Sequence, residues 1–257
     1  MAPRRAKREK SKAASEPEVV FDQLRFLTHA NEQTFETLIK SRRIWGERQI
    51  NLHELHPSIC ENLQSRHWLS LCTNIQPPLV DLIREFYSNL SVHEDDHGHK
   101  VASWIRGAPF TITRGNVSKA LDVPIICTPH IDDVMDVLCG RSVTWGSDRS
   151  ISSSELTELK YIFFRIACHN IFPISHIHAI PVNRFFFLYA LVTNSFICFP
   201  SLFIETIVEV RKSKYKRHGL FFLVLIHRVL KYLGLQNFPS QELVHIQAPI
   251  GAKFLKQ

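Results

Sequence analysis

Two stretches, Pro77–Leu90 (PPLVDLIREFYSNL) and Val101–Thr113 (VASWIRGAPFTIT), decide the fold, because the period of their apolar residues changes from one to the other. In the first, Leu79, Leu82, Ile83, Phe86, Tyr87 and Leu90 recur every three or four residues. That is the spacing of one helical face, and Pro77 and Pro78 suit a first turn. In the second, Val101, Ser103 and Ile105 alternate with Ala102 and Trp104, Arg106-Gly107-Ala108-Pro109 interrupts, and Phe110 and Ile112 resume. This predicts a β-hairpin whose pairing is limited by Pro109. The acidic, His-rich stretch between them, Ser91–His99, reads as a loop.

Working outward, the pattern stays helical. Phe35, Leu38 and Ile39 mark an amphipathic helix within Ala30–Arg42, and another follows Pro57 within His53–Leu63. A short helix is predicted over Arg114–Leu121, ending before Pro124, and one near Ile131–Leu138 in an otherwise loop-like stretch, 124–151. Ser152 and Glu155 have capping-box spacing ahead of Leu156, Leu159, Phe163, Ile166 and Ala167. Further helices are predicted over Val182–Cys198, from Pro200 to about Lys212, and through Leu220–Leu230, with Gly234 as a natural stop. The expectation is a mainly α fold: a single helical domain over 21–240 with a small β-hairpin insert. A disordered basic tail (1–20) precedes it and a C-terminal extension (241–257) follows.

The chain has 257 residues, is 45% hydrophobic and carries a formal net charge of +7. It can bury a real core, which excludes a wholly disordered or collagen-like chain. The charge is concentrated in two places. The tail holds Arg4, Arg5, Lys7, Arg8, Lys10 and Lys12 and, through residue 18, no large apolar side chain after Met1. It reads as a nuclear-localisation or phosphate-binding arm, beside the plainer reading of a solvated leader. The second place is Arg211, Lys212, Lys214, Tyr215, Lys216 and Arg217, predicted at a helix C-terminus. These cations could hold phosphates while Tyr215 stacks on a base. Cations at that end of a helix also complement its dipole, so a solvated loop is the competing reading. Outside residues 1–18 and 206–218 the acidic and basic residues balance.

Several function classes find no support. The six cysteines stand at least twelve residues apart, so there is no C-x-x-C knuckle. The N-terminus lacks an apolar signal-peptide core, and reduced thiols in the nucleus or cytoplasm are expected. Residues 185–204 carry no formal charge over the length of a bilayer span, but Thr193-Asn194-Ser195 and Pro200 interrupt them, so a core helix is expected rather than a membrane span. The histidine pairs His53/His56, His97/His99 and His176/His178 give no window with four zinc ligands. Asp95, Asp96, Asp122, Asp132, Asp133, Asp136 and Glu155 have no run of long strands beneath them to build a two-metal nuclease core. Phosphate-loop, nucleophile-elbow and zinc-protease motifs are absent. A non-enzyme without metal or cofactor is expected.

The order of segments carries more than any one of them. Ile83-Arg84-Glu85-Phe86-Tyr87-Ser88-Asn89-Leu90 is followed by Trp104-Ile105-Arg106-Gly107, Phe110 and Ile112, then by Val117 and Ala120-Leu121-Asp122-Val123-Pro124. Later come Asn170-Ile171-Phe172-Pro173-Ile174-Ser175-His176, and Arg184 leading into Leu188-Tyr189-Ala190-Leu191. Over about residues 25–240 this succession resembles the "putative plant transposon protein" domain family. That family's pattern has a V-R-E-F-Y-x-N-L helix, a V-R-G-x-x-V-x-F hairpin, an L-G-L-P helix end, an L-x-P-T-S-H loop and an L-L-Y-A helix. Arg42–Leu52 and Trp68 extend the likeness upstream. Phe221–Ile226 departs from it by lacking a proline, and Ile174 stands in place of the threonine. No long polar C-terminal extension follows, as expected of a shortened copy.

The resemblance implies a plant retrotransposon origin, a mostly helical domain and no defined catalytic residues. The polar and aromatic positions to inspect are then Arg84, Glu85, Tyr87, Trp104, Arg106 and Arg184. Arg106 and Arg184 are also readable as buried partners of Glu85 or of helix carbonyls. The expected partners are nucleic acid through the short basic segments, or a second copy or another element-encoded protein. A capsid-like assembly domain is the alternative function, and a metal-dependent transposase or nuclease is a third.

Overall fold

A computed structural model describes residues 20–73, 75–95, 98–125, 134–141, 150–171, 178–193, 197–214 and 219–236, with a few isolated residues besides. Apart from Val20 and Pro249, the basic tail, the C-terminal extension and Tyr215–His218 lie outside the described residues. The described chain is mainly α. Its helices are α1 (His29–Thr34, continued by a π-helical turn, Phe35–Ile39), α2 (Pro57–Ser65), α3 (Leu69–Cys72) and α4 (Val80–Ser88). Strands β1 (Ser91–Asp95), β2 (Gly98–Ile105) and β3 (Ala108–Ile112) follow, then α5 (Arg114–Leu121) and α6 (Val134–Cys139). The second half holds β4 (Ser150–Ser152), α7 (Glu158–Ile166), β5 (Ala179–Pro181), α8 (Val182–Val192), α9 (Phe199–Lys212) and α10 (Leu223–Tyr232).

α4 is the axle of the fold. Val80, Leu82, Ile83, Glu85, Phe86, Tyr87 and Ser88 are all buried, so apolar surface is removed from water on nearly every side of the helix. Beside it lies an antiparallel sheet of order β1-β2-β3. The inward residues of β2, Val101, Ser103 and Ile105, are buried, and the Ser103 hydroxyl donates to the Phe86 carbonyl at 2.8 Å. The β2–β3 turn contains only Arg106 and Gly107, with φ of 49° and 81°. Two successive positive φ values match the strands' right-handed twist, which makes this two-residue hairpin tight. Pro109 sits on the outer strand, exposed, where its missing N–H costs no interior ladder bond.

Four expectations need correction. Ser91–His99 is not a loop: Ser91–Asp95 pairs with Gly98–Ala102 as an edge strand. Its alternation is hidden because an edge strand leaves Ser91, His93 and Glu94 exposed. The hairpin is thus a three-stranded sheet, and a second, two-stranded sheet joins β4 to β5. Ser152 and Glu155 do not form a capping box at an α-helix. Ser152 accepts the Ser154 amide at a single 3-10 turn, Glu155 pairs with Arg141, and α7 starts later, at Glu158. Finally, α8 stops at Val192 rather than Cys198, where the Thr193 hydroxyl donates back to the Tyr189 carbonyl. Residues 185–204 therefore divide between two helices whose Phe185, Leu188, Leu191, Phe199 and Phe203 are core residues. Among the described residues no helix is long and apolar enough to cross a membrane.

The two halves are joined by charge as well as by apolar packing. Arg42 is buried and donates to the Val210 and Ser213 carbonyls at the end of α9. Arg66 donates to the Ala190 carbonyl at 2.8 Å, and Asn62 to Leu191 at 2.9 Å, at the end of α8. Glu47, 1% exposed, accepts the Val224 and Leu225 amides at 2.9 and 3.0 Å, where α10 begins. Each charge has the sign that the exposed end of a helix dipole favours. α10 needs this remote cap because its own N-cap residue, Phe222, has φ of 56° and makes no side-chain cap bond.

Candidate nucleic-acid interface

Five of the six positions singled out by the sequence have side-chain partners inside the fold. Glu85 is fully buried and receives Arg25 Nε at 2.7 Å and, as an ion pair, Arg106 Nε at 3.2 Å. Burial raises its carboxyl pKa, and the two guanidiniums oppose the rise. One turn on, the Asn89 amide donates to the Arg25 and Trp104 carbonyls at 2.8 and 2.7 Å and accepts the Leu27 amide at 3.0 Å. The Trp104 indole donates to the Gln23 carbonyl and the Gly107 amide to that of Leu24, so residues 22–28 are strapped across the hairpin turn. Tyr87 donates to the Phe221 carbonyl at 3.0 Å, and Arg84 is half-buried on α4. Arg106 is therefore a partner of Glu85, and Arg184 pairs with Glu209 of α9, at 3.3 Å. Asn89 and Arg25 were not singled out, although Asn89 stands in the same motif as Glu85.

The second basic segment behaves differently. Arg211 is consumed internally, its Nε donating to the Leu90 carbonyl at 3.1 Å. Arg42 already serves the carbonyls at this end of α9, so the dipole is answered from below. Lys212 and Lys214 remain exposed. Beyond them the chain returns at Gly219-Leu220 and pairs with Arg43-Ile44-Trp45: Leu220 donates to the Arg43 carbonyl at 2.8 Å, and Trp45 to that of Leu220 at 3.0 Å. Gly219 is required here, because a Cβ at that position would lie 1.9 Å from Trp45 Cδ1. The exposed Arg43 places its guanidinium 4.0 Å from the centre of the Trp45 ring, a cation–π contact.

Residues 43–45 thus join the segment that begins at Arg211. The bridge fixes the far end of the stretch containing Tyr215, Lys216 and Arg217, and Arg42 on the Ser213 carbonyl fixes the near end; the three residues themselves lie outside the described residues, as do Arg4 to Lys12. Sequence reasoning missed Arg43 and Trp45. Their only local signal is a pair of arginines before an Ile-Trp dipeptide, and their partner strand is remote in the chain.

The catalytic and metal readings gain nothing from the geometry. Among the described residues no three His, Cys, Asp or Glu side chains gather as metal ligands would. His97, His176, Asp96, Asp132 and Asp133 lie outside the described residues, and the Asp95 and Asp136 side chains are not described. Cys72 and Cys168 are buried thiols with raised pKa values, that of Cys72 pushed up to about 12 by burial. Such thiols are poor nucleophiles. The pKa of His169 is lowered to about 3 by burial and by nearby Arg48 and Arg165, so it is a neutral imidazole.

A family model described as "putative plant retrotransposon-related domain" matches residues 64–236. That span takes in the α4 motif, the hairpin and the helices through α10, and leaves Arg42–Leu52 outside. No curated protein and no solved structure matches the chain.

Proposed function

The chain belongs to the "putative plant retrotransposon-related domain" family, and from that membership we propose that it is a non-enzymatic nucleic-acid-binding module. Its contact surface is the corner at the end of α9: Arg43, Trp45, Lys212 and Lys214, with Tyr215, Lys216 and Arg217 supplied by the sequence between the two fixed ends. One observation carries the reading. Of the charges around this corner, Arg42 and Arg211 are spent on carbonyls of the fold, whereas Lys212 and Lys214 are exposed, as is Arg43, which stacks on the Trp45 ring. Backbone phosphates are held by such cations, and flat rings add stacking that does not depend on base identity. The tail, with Arg4 to Lys12, would add a second attachment in the nucleus or cytoplasm.

Fluorescence anisotropy with labelled single-stranded RNA, single-stranded DNA and duplex DNA tests this. The triple variant Arg43→Glu, Lys212→Glu, Lys214→Glu should lose affinity for all three by roughly tenfold or more at moderate salt, since the phosphate term is independent of sequence. Arg211 is left intact because its guanidinium serves Leu90. Unchanged affinity in the variant would overturn the assignment. A native chain that binds no nucleic acid but forms concentration-dependent oligomers by light scattering would instead favour a capsid-like assembly role.

A further inference from the structure

Away from the basic corner, one face of α10 borders a cavity of about 480 Å³. Val224, His227, Arg228 and Lys231 stand at helical spacing along that face, opposite Ser70, Thr73 and the rim residue Gln76, with Ala120 of α5 closing one side. The volume falls in the range of small-molecule sites. Its chemistry is asymmetric. Two cations line it, and none of the described lining residues is acidic. Val224 and Ala120 supply an apolar wall.

We propose that this cavity binds a phosphomonoester with a compact apolar body, such as a nucleoside monophosphate, whose phosphate lies between Arg228 and Lys231. Arg228 is pre-positioned, donating to the Ser70 carbonyl at 2.6 Å, so little side-chain freedom remains to be lost when an anion arrives. The Ser70 and Thr73 hydroxyls donate to the Leu121 and Leu69 carbonyls, which leaves their oxygens as acceptors for the ligand's body. Burial and nearby Lys231 lower the pKa of His227, so it offers a neutral hydrogen bond beside the cations. Glu47 stands behind Arg228 and partly offsets the cost of burying that guanidinium, but its own oxygens are engaged by the α10 amides. Two cations therefore face the cavity, matching a phosphate dianion better than a single carboxylate.

The test is calorimetric titration of the full chain with AMP, adenosine and inorganic phosphate. AMP should bind saturably at one site, and adenosine and phosphate each roughly tenfold or more weakly, because each lacks one half of the recognition. Ala120→Phe fills the cavity and should abolish binding while leaving the cations in place. Lys231→Gln, at the cavity edge, should weaken AMP roughly tenfold with an unchanged melting transition, and it decides the matter should Ala120→Phe not fold. The Lys212→Glu, Lys214→Glu variant should bind AMP like the native chain, which separates this site from the nucleic-acid surface. A 5′-phosphorylated oligonucleotide that competes with AMP where its 5′-hydroxyl form does not would place the phosphate source at a strand end instead of a free nucleotide. Equal affinity for adenosine and AMP, or AMP binding lost in the Lys212→Glu, Lys214→Glu variant, would overturn the proposal.

Discussion

Two regions of this molecule are rich in arginine, and they use it in opposite ways. Around Glu85, Arg25 and Arg106 converge on one buried carboxylate, and Asn89 ties the surrounding backbone together. Around the end of α9, Arg43, Lys212 and Lys214 face solvent with a tryptophan ring at hand, while Arg42 and Arg211 beneath them hold carbonyls. Residue type does not separate the two uses; the partner does. Charges in the first region belong to the stability of the fold, and charges in the second are available to something outside it.

The comparison can be broken by mutation, and the largest effect should come from Glu85→Ala. It leaves two guanidiniums facing a buried void, and removing one partner of a buried ion pair costs about 3–5 kcal/mol. Urea unfolding should show that loss, and nucleic-acid affinity of the remaining folded protein should not change. A loss below about 1 kcal/mol would mean that the lock is decorative.

Next in size is a pH effect at Glu47. Burial raises its carboxyl pKa to about 7, against the pull of the two amides and Arg228. The folded state then holds this proton more tightly than the unfolded chain does. Its contribution to stability is therefore largest below the ordinary carboxylate range and falls as pH climbs toward 7, by about 3 kcal/mol in all. Chemical denaturation between pH 5 and 8 should show native stability declining relative to Glu47→Gln. Parallel curves for the two proteins would show that Glu47 does not titrate in this range. Smaller again is Gly219→Ala, whose methyl group would displace Trp45 from Arg43. It should cost about 1–3 kcal/mol, as overpacking does, and should also quench the change in Trp45 fluorescence on adding RNA. The smallest stability effect belongs to Arg43→Glu, Lys212→Glu, Lys214→Glu, within about 0.5 kcal/mol per exposed site.

Much of the fold was legible because its strongest signals are periodic. α4, the Arg106-Gly107 hairpin and α5 follow from spacing and turn residues alone, and α5 spans the predicted Arg114–Leu121. β1 was illegible because an edge strand has no buried face to impose alternation. The end of α8 was misplaced although Thr193-Asn194-Ser195 was visible as an interruption; the apolar residues beyond it belong to the next helix. The candidate surface was half legible. Lys212 and Lys214 announce themselves as a charge run, but Arg43 and Trp45 join them only through the Ile44–Leu220 bridge, which no local pattern encodes. Glu47 was hidden for the same reason, since its partners are Val224 and Leu225.

The central claim is that the outward charges bind phosphate and the inward ones do not. It is tested most directly by measuring affinity for a single-stranded oligonucleotide across a series of salt concentrations, for the native chain, for Arg43→Glu/Lys212→Glu/Lys214→Glu and for Glu85→Gln. The slope of log K against log salt should become shallower by roughly 0.7 for each phosphate that the triple variant no longer neutralises. It should stay at the native value in Glu85→Gln. Superimposable lines for the native chain and the triple variant would contradict the account.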